Sequence, residues 1–185
     1  YHWDFEVAEF HYQRAIQLNP NHAETYVDYS AMLALIGRKE EARTYTKKAL
    51  ELDPFSVTIN FYAGWTYFLT DDFDLMSKVG EKILELEPPW LGHTFRGFKY
   101  WMAREFDKAV PEFEKGIKAQ LPLTYAWFGC ILGIVGEEKS AQKVINQLLE
   151  ASKNQYVGAY NIGFIYLGLS QTDKAYQLFL RGIEE

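Results

Sequence analysis

The chain has 185 residues, is 48% hydrophobic and carries a net charge of −6, which suits one ordinary domain or a short repeat array and excludes a disordered tail. No Lys/Arg cluster exceeds a pair and no apolar run reaches the length of a membrane span, so neither a nucleic-acid backbone nor a lipid bilayer is an expected partner of this segment. One cysteine, Cys130, excludes an internal disulfide and a Cys-based zinc site, and aromatic residues are in excess at 17%.

The opening YHWDFEVAEF has acids and no basic-then-apolar pattern, unlike a signal peptide, and its lack of a starting Met reads as a piece of something longer. A lone helix is expected over roughly 4–18. Five helical pairs follow, near 22–36 and 39–52, 57–69 and 72–86, 90–103 and 106–118, 123–135 and 137–151, and 157–168 and 172–184. Helices stop ahead of Pro20, Pro54 and Pro88, spaced by 34 residues, because proline lacks the N–H that a continuing helix needs. Asn21 with Glu24 reads as a capping arrangement at the second helix. Breakers or polar runs at Gly37, Thr70, Gly136 and Ser170 mark turns inside the pairs. The acid pairs Glu40-Glu41, Asp71-Asp72 and Glu137-Glu138 fall where second helices begin, and there they favour the positive end of the helix dipole.

The punctuation belongs to a longer pattern. Ala8 and Ala15 stand twelve and five residues before Pro20, as Ala42 and Ala49 do before Pro54 and Met76 and Ile83 before Pro88. Ala109/Phe113/Gly116, Ala141/Ile145/Leu148 and Ala175/Phe179/Gly182 continue the spacing. Upstream of each comes a small residue and, three later, a large one: Ser30/Leu33, Gly64/Tyr67, Gly97/Tyr100, Gly129/Leu132 and Gly163/Tyr166. The pattern resembles the tetratricopeptide repeat, W-x2-L-G-x2-Y, then A-x3-F, then P. The resemblance implies an all-α, right-handed α-solenoid of helix-turn-helix units, about 5.5 repeats and eleven helices. Residues 1–22 would be the second half of a truncated repeat. Repeats 23–56, 57–89, 90–121, 122–155 and 156–185 would complete a single array. Gly64, Gly97, Ala42 and Ala109 then sit where helices cross, and Tyr67, Tyr100 and Tyr166 fill the space beside them.

Catalysis needs convergent polar groups. The histidines, His2, His11, His22 and His93, pair with no His or acid at metal-ligand spacing. Cys130 lies among Gly129, Ile131 and Leu132, the setting of an inert buried thiol. No enzyme, cofactor or metal is expected. What remains is surface. In proteins with this repeat the first helices line a concave groove, which implies rows at Phe61/Trp65/Phe68, Thr94/Phe98/Trp101 and Tyr160/Phe164/Leu167. Small rows at Val27/Ala31/Ala34 and Ala126/Cys130/Gly133 stand beside them. One reading packs the rings as core. The other opens them as an apolar groove for a peptide or partner protein, with Phe61, Trp65, Phe68, Thr94, Phe98, Trp101, Cys130, Tyr160 and Phe164 as its lining. Arg96 stands where other units carry Tyr29, Ala63, Phe128 and Ile162; a structural ion pair is its simpler reading and a polar anchor the sharper one.

The order of features is more specific. Trp3-Asp4 at the start, and YVGAYNIGFIYLGLSQTDKAYQLFLRGIEE at the end, resemble a C-terminal array that in bacteria follows a winged-helix regulator, nucleotide cyclase or protein kinase domain. That resemblance implies a regulatory interaction module. Self-association that positions an attached effector domain, as a homo-oligomer, is the alternative. A cytoplasmic location is expected first, and a periplasmic one if the full protein carries an upstream membrane segment.

Overall fold

The computed structural model describes residues 4–86 and 88–184. His2 and Trp3, singled out above, lie outside them. Among the described residues there are eleven α-helices and no strand: α1 (Phe5–Leu18), α2 (Ala23–Leu35), α3 (Lys39–Leu52), α4 (Val57–Leu69), α5 (Phe73–Leu84), α6 (Trp90–Met102), α7 (Phe106–Gly116), α8 (Pro122–Ile134), α9 (Glu138–Ala151), α10 (Ala159–Gly168) and α11 (Thr172–Glu184). The chain divides into two compact units, Tyr1–Phe95 and Arg96–Glu185, with the boundary inside α6. Each is a stack of helical hairpins, the α-solenoid architecture.

One backbone device closes every hairpin. Gly37, Asp71, Arg104, Gly136 and Ser170 all have positive φ, between 58° and 85°. They recur at steps of 34, 33, 32 and 34 residues. The residue after each donates its N–H five residues back: Arg38 to Leu33, Asp72 to Tyr67, Glu105 to Tyr100, Glu137 to Leu132 and Gln171 to Tyr166, at 2.8–2.9 Å. This is the six-residue closure of a Schellman turn, which needs a left-handed residue at the helix end. Each acceptor is the large residue of the repeat pattern, buried at Leu33, Tyr67 and Leu132 and half-buried at Tyr100 and Tyr166, so that position both packs and ends the helix. Only Gly37 and Gly136 meet the backbone demand without strain.

The long connections differ from expectation at one place. α2 is not capped by Asn21; its N-cap is His22, whose Nδ1 lies 2.9 Å from Thr25 Oγ1. Side-chain caps occur instead at Asp4, which accepts from Val7 N at 3.0 Å, and Ser56, which accepts from Ile59 N at 3.2 Å. α7 holds Pro111 in its interior and ends at Gly116, followed by a 3₁₀ turn over Ile117–Ala119 and the left-handed Gln120. The proline removes one rung of the helix ladder.

In the first unit, α2 packs on α3 and on α4, and Ala42 and Ala49 are fully buried at the crossings. Phe95 fills the space that Gly64 and Gly80 leave; a Cβ at either would stand 2.5–2.6 Å from its side chain. Polar clamps fix the hairpins at their ends. Tyr29 Oη donates to Glu9 Oε1 at 2.6 Å, and Arg38 Nη1 donates to Glu9 Oε2 at 2.6 Å while holding both oxygens of Glu41. Arg43 donates to Asp72 at 2.6 Å and to the Thr70 carbonyl at 2.8 Å.

In the second unit, α8 lies against α9 and α10, and α10 against α11. The core is Leu132, Ala141, Val144, Ile145, Leu148, Ile162 and Ile165. Here α8 and α10 approach to backbone contact. A Cβ on Gly168 would lie 2.2 Å from the Cys130 carbonyl oxygen, and one on Gly133 would lie 2.6 Å from the Gly168 carbonyl carbon.

Candidate functional site

First helices carry the aromatic excess, and each unit organises its own share. On α4, Phe61, Trp65 and Phe68 stand one turn apart and are all half-buried. Trp65 meets Phe61 and Phe68 edge to face, with centroids 6.1 and 5.7 Å away, and Phe95 at 5.6 Å. Rings in this arrangement add to stability beyond their buried area. One turn outward, Tyr62 is 43% exposed and Leu69 37%. Thr94 is fully buried in this unit.

In the second unit the rings form a ladder. Phe98 and Trp101 of α6 meet Trp127 of α8 at 5.0 and 5.9 Å, Trp127 meets Phe164 of α10 at 4.8 Å, and Phe164 meets Phe179 of α11 at 5.3 Å. Phe113 closes the ladder from α7, 5.1 Å from Phe98. Phe98 is only 3% exposed. Trp101 and Phe164 are half-buried, and Tyr160 is 39% exposed. Trp127 went unnoticed in the sequence because only Ala126, Cys130 and Gly133 of its helix were placed on the inner row.

That small row does not leave open space. Ala126 is fully buried and Cys130 4% exposed, because α10 descends onto α8 where the two glycines meet. Burial pushes the Cys130 thiol up to about 11, so it stays protonated and unreactive at neutral pH. Cys130 is thus a helix-crossing residue, and Thr94 and Phe98 offer almost no surface either.

Arg96 has the counter-charge that its position demands. Its guanidinium lies 3.9 Å from Glu112, a carboxylate only 8% exposed that also accepts from Lys115 at 2.8 Å. An uncompensated carboxylate at that depth is costly, which accounts for a charge in a row of apolar residues.

A second set of exposed apolar residues was not singled out in the sequence. The last residue of successive first helices is Leu35, Leu69, Met102 and Ile134, exposed by 69%, 37%, 44% and 41%. They stand two residues before the left-handed turn position in each repeat. Their spacing of 34, 33 and 32 residues was legible; the signal was hidden because a helix-terminal apolar residue reads as core until the turn is seen. Leu167 on α10, 47% exposed, stands one residue earlier in the phase.

His11 is exposed beside Phe10, His22 lies 3.8 Å from Glu24, and His93 is half-buried. Among the described residues no three His, Cys, Asp or Glu side chains converge as a metal site, and no helix is long and apolar enough to cross a membrane.

Comparison with known proteins agrees with the fold. A tetratricopeptide-repeat family profile matches residues 11–44. Human tetratricopeptide repeat protein 13 is 24% identical over 123 residues, 66% of this chain and 14% of that protein. The chain spans between 14% and 27% of the length of the curated relatives it matches. Among solved structures, a tetratricopeptide repeat protein from Parabacteroides merdae superposes with a TM-score of 0.71 at 15% identity, covering 97% of this chain and 71% of its own. YrrB, described as a TPR protein with an unusual peptide-binding site, gives a TM-score of 0.53 at 21% identity over 94% of this chain and 91% of its own. A 34-residue pattern repeated in phase, closed by the same turn in each described hairpin, matched by the repeat profile over residues 11–44 and by solved structures in fold, supports a tetratricopeptide-repeat protein.

Proposed function

We propose that the chain is a protein-interaction module without catalysis of its own, holding a peptide or partner segment by apolar side chains of its first helices, as the regulatory part of a larger bacterial protein. The carrying observation is the phase-locked exposure of Leu35, Leu69, Met102 and Ile134 beside the half-buried rings. Isolated exposed apolar residues are ordinary, but the same repeat position left apolar and open twice in each unit is a pattern. In the first unit Phe61, Trp65 and Phe68 back Tyr62 and Leu69. In the second, Trp101, Tyr160 and Phe164 accompany Met102, Ile134 and Leu167. Phe98 stacks on Trp101 at 5.9 Å, and Arg96 keeps 30% of its side chain open as a polar neighbour. The peptide-binding description of YrrB fits this reading. The regulatory assignment rests on the resemblance of the terminal segments to bacterial regulator arrays.

The test is selection of peptides from a random display library on the purified chain, followed by calorimetry of the best binders. Trp65→Ala or Trp101→Ala should weaken binding by about 1–4 kcal/mol. Binding indifferent to both, and to Leu69→Ser and Met102→Ser, would refute the assignment. The alternative, self-association, is favoured by the stripe Tyr176, Leu180 and Ile183 on α11, exposed by 60%, 41% and 82%. Sedimentation equilibrium of the chain and of Leu180→Glu separates the two readings.

A further inference from the structure

First helices begin in phase, with one exception. α2, α4, α6 and α8 start at Ala23, Val57, Trp90 and Pro122, each seven residues before the small residue of its repeat, Ser30, Gly64, Gly97 or Gly129. α10 starts at Ala159, only four before Gly163. The three residues lost from its start are almost a full turn. They lie instead in the connection 152–158, seven residues long where the connection 53–56 between α3 and α4 has four. The N-cap of α10 is Gly158, the counterpart in phase of Ile59, which is 1% exposed in α4. A turn of helix and a large buried side chain are therefore both absent at this place.

Beside the extended connection stands a cavity of about 210 Å³. Its walls come from the start of α8, the end of α9 and Gln155 of the connection, all interior to the second unit. Pro122, Leu148 and Ala151 are its apolar lining, and Gln120, Gln147, Gln155 and Tyr125 its polar lining. In the first unit Tyr26, the counterpart of Tyr125, is 7% exposed, and its Oη donates to the Pro20 carbonyl at 3.0 Å. Tyr125 is half-buried, and neither its Oη nor the three glutamine carboxamides hydrogen-bond to any described residue. Four groups that can each donate and accept thus border one small space with that capacity unspent.

The lining sets the class of ligand. Among the described residues no charged side chain lines the cavity, so an ion entering it would give up hydration without a counter-charge. A neutral group that both donates and accepts is matched. A primary carboxamide pairs with a glutamine amide edge to edge, each N–H meeting the other's carbonyl. The volume falls below the range of about 300–1,000 Å³ typical of drug-sized ligands, which limits the ligand to about the size of one side chain.

We propose that the cavity between α8, α9 and the 152–158 connection binds a neutral primary carboxamide on a short apolar stem, borne by an Asn or Gln side chain of a partner peptide or by a free small amide. The site is separate from the aromatic rows and the exposed helix ends and does not depend on their role.

The test is a titration of the isotope-labelled chain with butyramide, followed by nuclear magnetic resonance. The Nε2 groups of Gln120, Gln147 and Gln155 report directly, together with the backbone amides of Tyr125 and Ala151. Saturable shifts at these groups are expected, with a Kd on the order of millimolar for so few atoms. Butyrate has the same shape but is ionised at neutral pH, and it should bind roughly tenfold more weakly or worse. Ala151→Phe, which fills the cavity, should abolish the shifts, and Gln147→Leu should weaken binding roughly threefold or more. Circular dichroism melts show whether the variants fold, and the comparison of ligands on the wild-type chain stands without them. N-acetyl-Gly-Gln-Gly N-methylamide separates the two sources. Binding at least as tight as that of butyramide assigns the carboxamide to a partner chain, and weaker binding assigns it to a free amide. Absence of saturable shifts with both probes, equal binding of butyrate, shifts centred outside the cavity, or indifference to both substitutions in folded variants overturns the proposal.

Discussion

Gly168→Ala is the sharpest test of how the second unit is packed. In isolation the change favours the helix, since alanine exceeds glycine in helix propensity by about 1 kcal/mol in an interior, and Gly168 is the last residue of α10. The structure opposes it. The new Cβ would stand 2.2 Å from the Cys130 carbonyl oxygen and 2.8 and 2.9 Å from the Cys130 Cα and C. A carbon and a carbonyl oxygen settle at about 3.3 Å or more, so α8 and α10 must part by roughly 1 Å. All three nearest atoms are backbone, and no side chain can swing aside to relieve the contact.

Parting the helices also loosens neighbours. Ile165 lies over Gly129 at the same interface, where a Cβ would come within 2.7 Å of its Cδ1. A radial gap of about 0.5–1 Å forfeits a quarter to a half of each dispersion contact. The net cost should be about 2–3 kcal/mol, a fall in Tm of roughly 5–10 °C. Urea and thermal unfolding followed by circular dichroism measure it. Gly182→Ala is the control: its Cβ meets nothing nearer than the Tyr160 nitrogen at 3.4 Å, so it should be neutral or stabilising by up to about 1 kcal/mol. Equal effects at the two glycines would refute the close crossing of α8 and α10.

Arg104 is a non-glycine residue in the left-handed region at φ 58°; Arg104→Gly should stabilise by about 0.5–1 kcal/mol in chemical denaturation, as relief of strain outweighs the added freedom of the unfolded chain. Pro111→Ala should restore the missing rung in α7 and raise stability by about 1–3 kcal/mol, with slower amide exchange along that helix as the local readout. The Arg38 guanidinium, followed by the Tyr29 hydroxyl, holds the Glu9 carboxyl below its ordinary value of 4.5. That clamp is therefore at full strength above pH 4.5 and is lost as pH falls through the depressed folded value. Amide exchange in α1 should accelerate in acid, and Glu9→Gln should accelerate it at neutral pH and flatten the acid response.

Most of the fold was legible in the sequence because its signals are local and repeated. The expected helix 39–52 is α3 as observed, and expected 57–69 is α4. Expected 106–118 shortens to Phe106–Gly116, where Pro111 and the 3₁₀ turn that follows cut short a periodic pattern. The capping residue of α2 was misplaced by one because both Asn21 and His22 can start a helix and only backbone geometry decides. The left-handed turn was half visible, at Gly37 and Gly136. Its other members are Asp71, Arg104 and Ser170, whose side chains do not announce positive φ. The site was less legible. Helical periodicity says which residues share a face; it does not say how closely the next helix approaches that face.

The row Ala126, Cys130 and Gly133 shows what this costs. Small side chains beside large rings look, in sequence, like room left for a ligand. In the folded unit they let α10 reach the backbone of α8, and Trp127, on the neighbouring face, links the rings of α6 to those of α10. Small and aromatic rows are therefore two parts of one packing solution, one giving close approach and the other filling the wider gap. Rings spent in this way hold helices first. On the function proposed above, surface for a partner comes from positions that the packing leaves open, among them the ends of first helices, where the Schellman turn carries the chain away: Leu35, Leu69, Met102 and Ile134. Binding energy should accordingly respond to substitution at these ends, while substitution at Phe98 or Cys130 should be felt chiefly in stability.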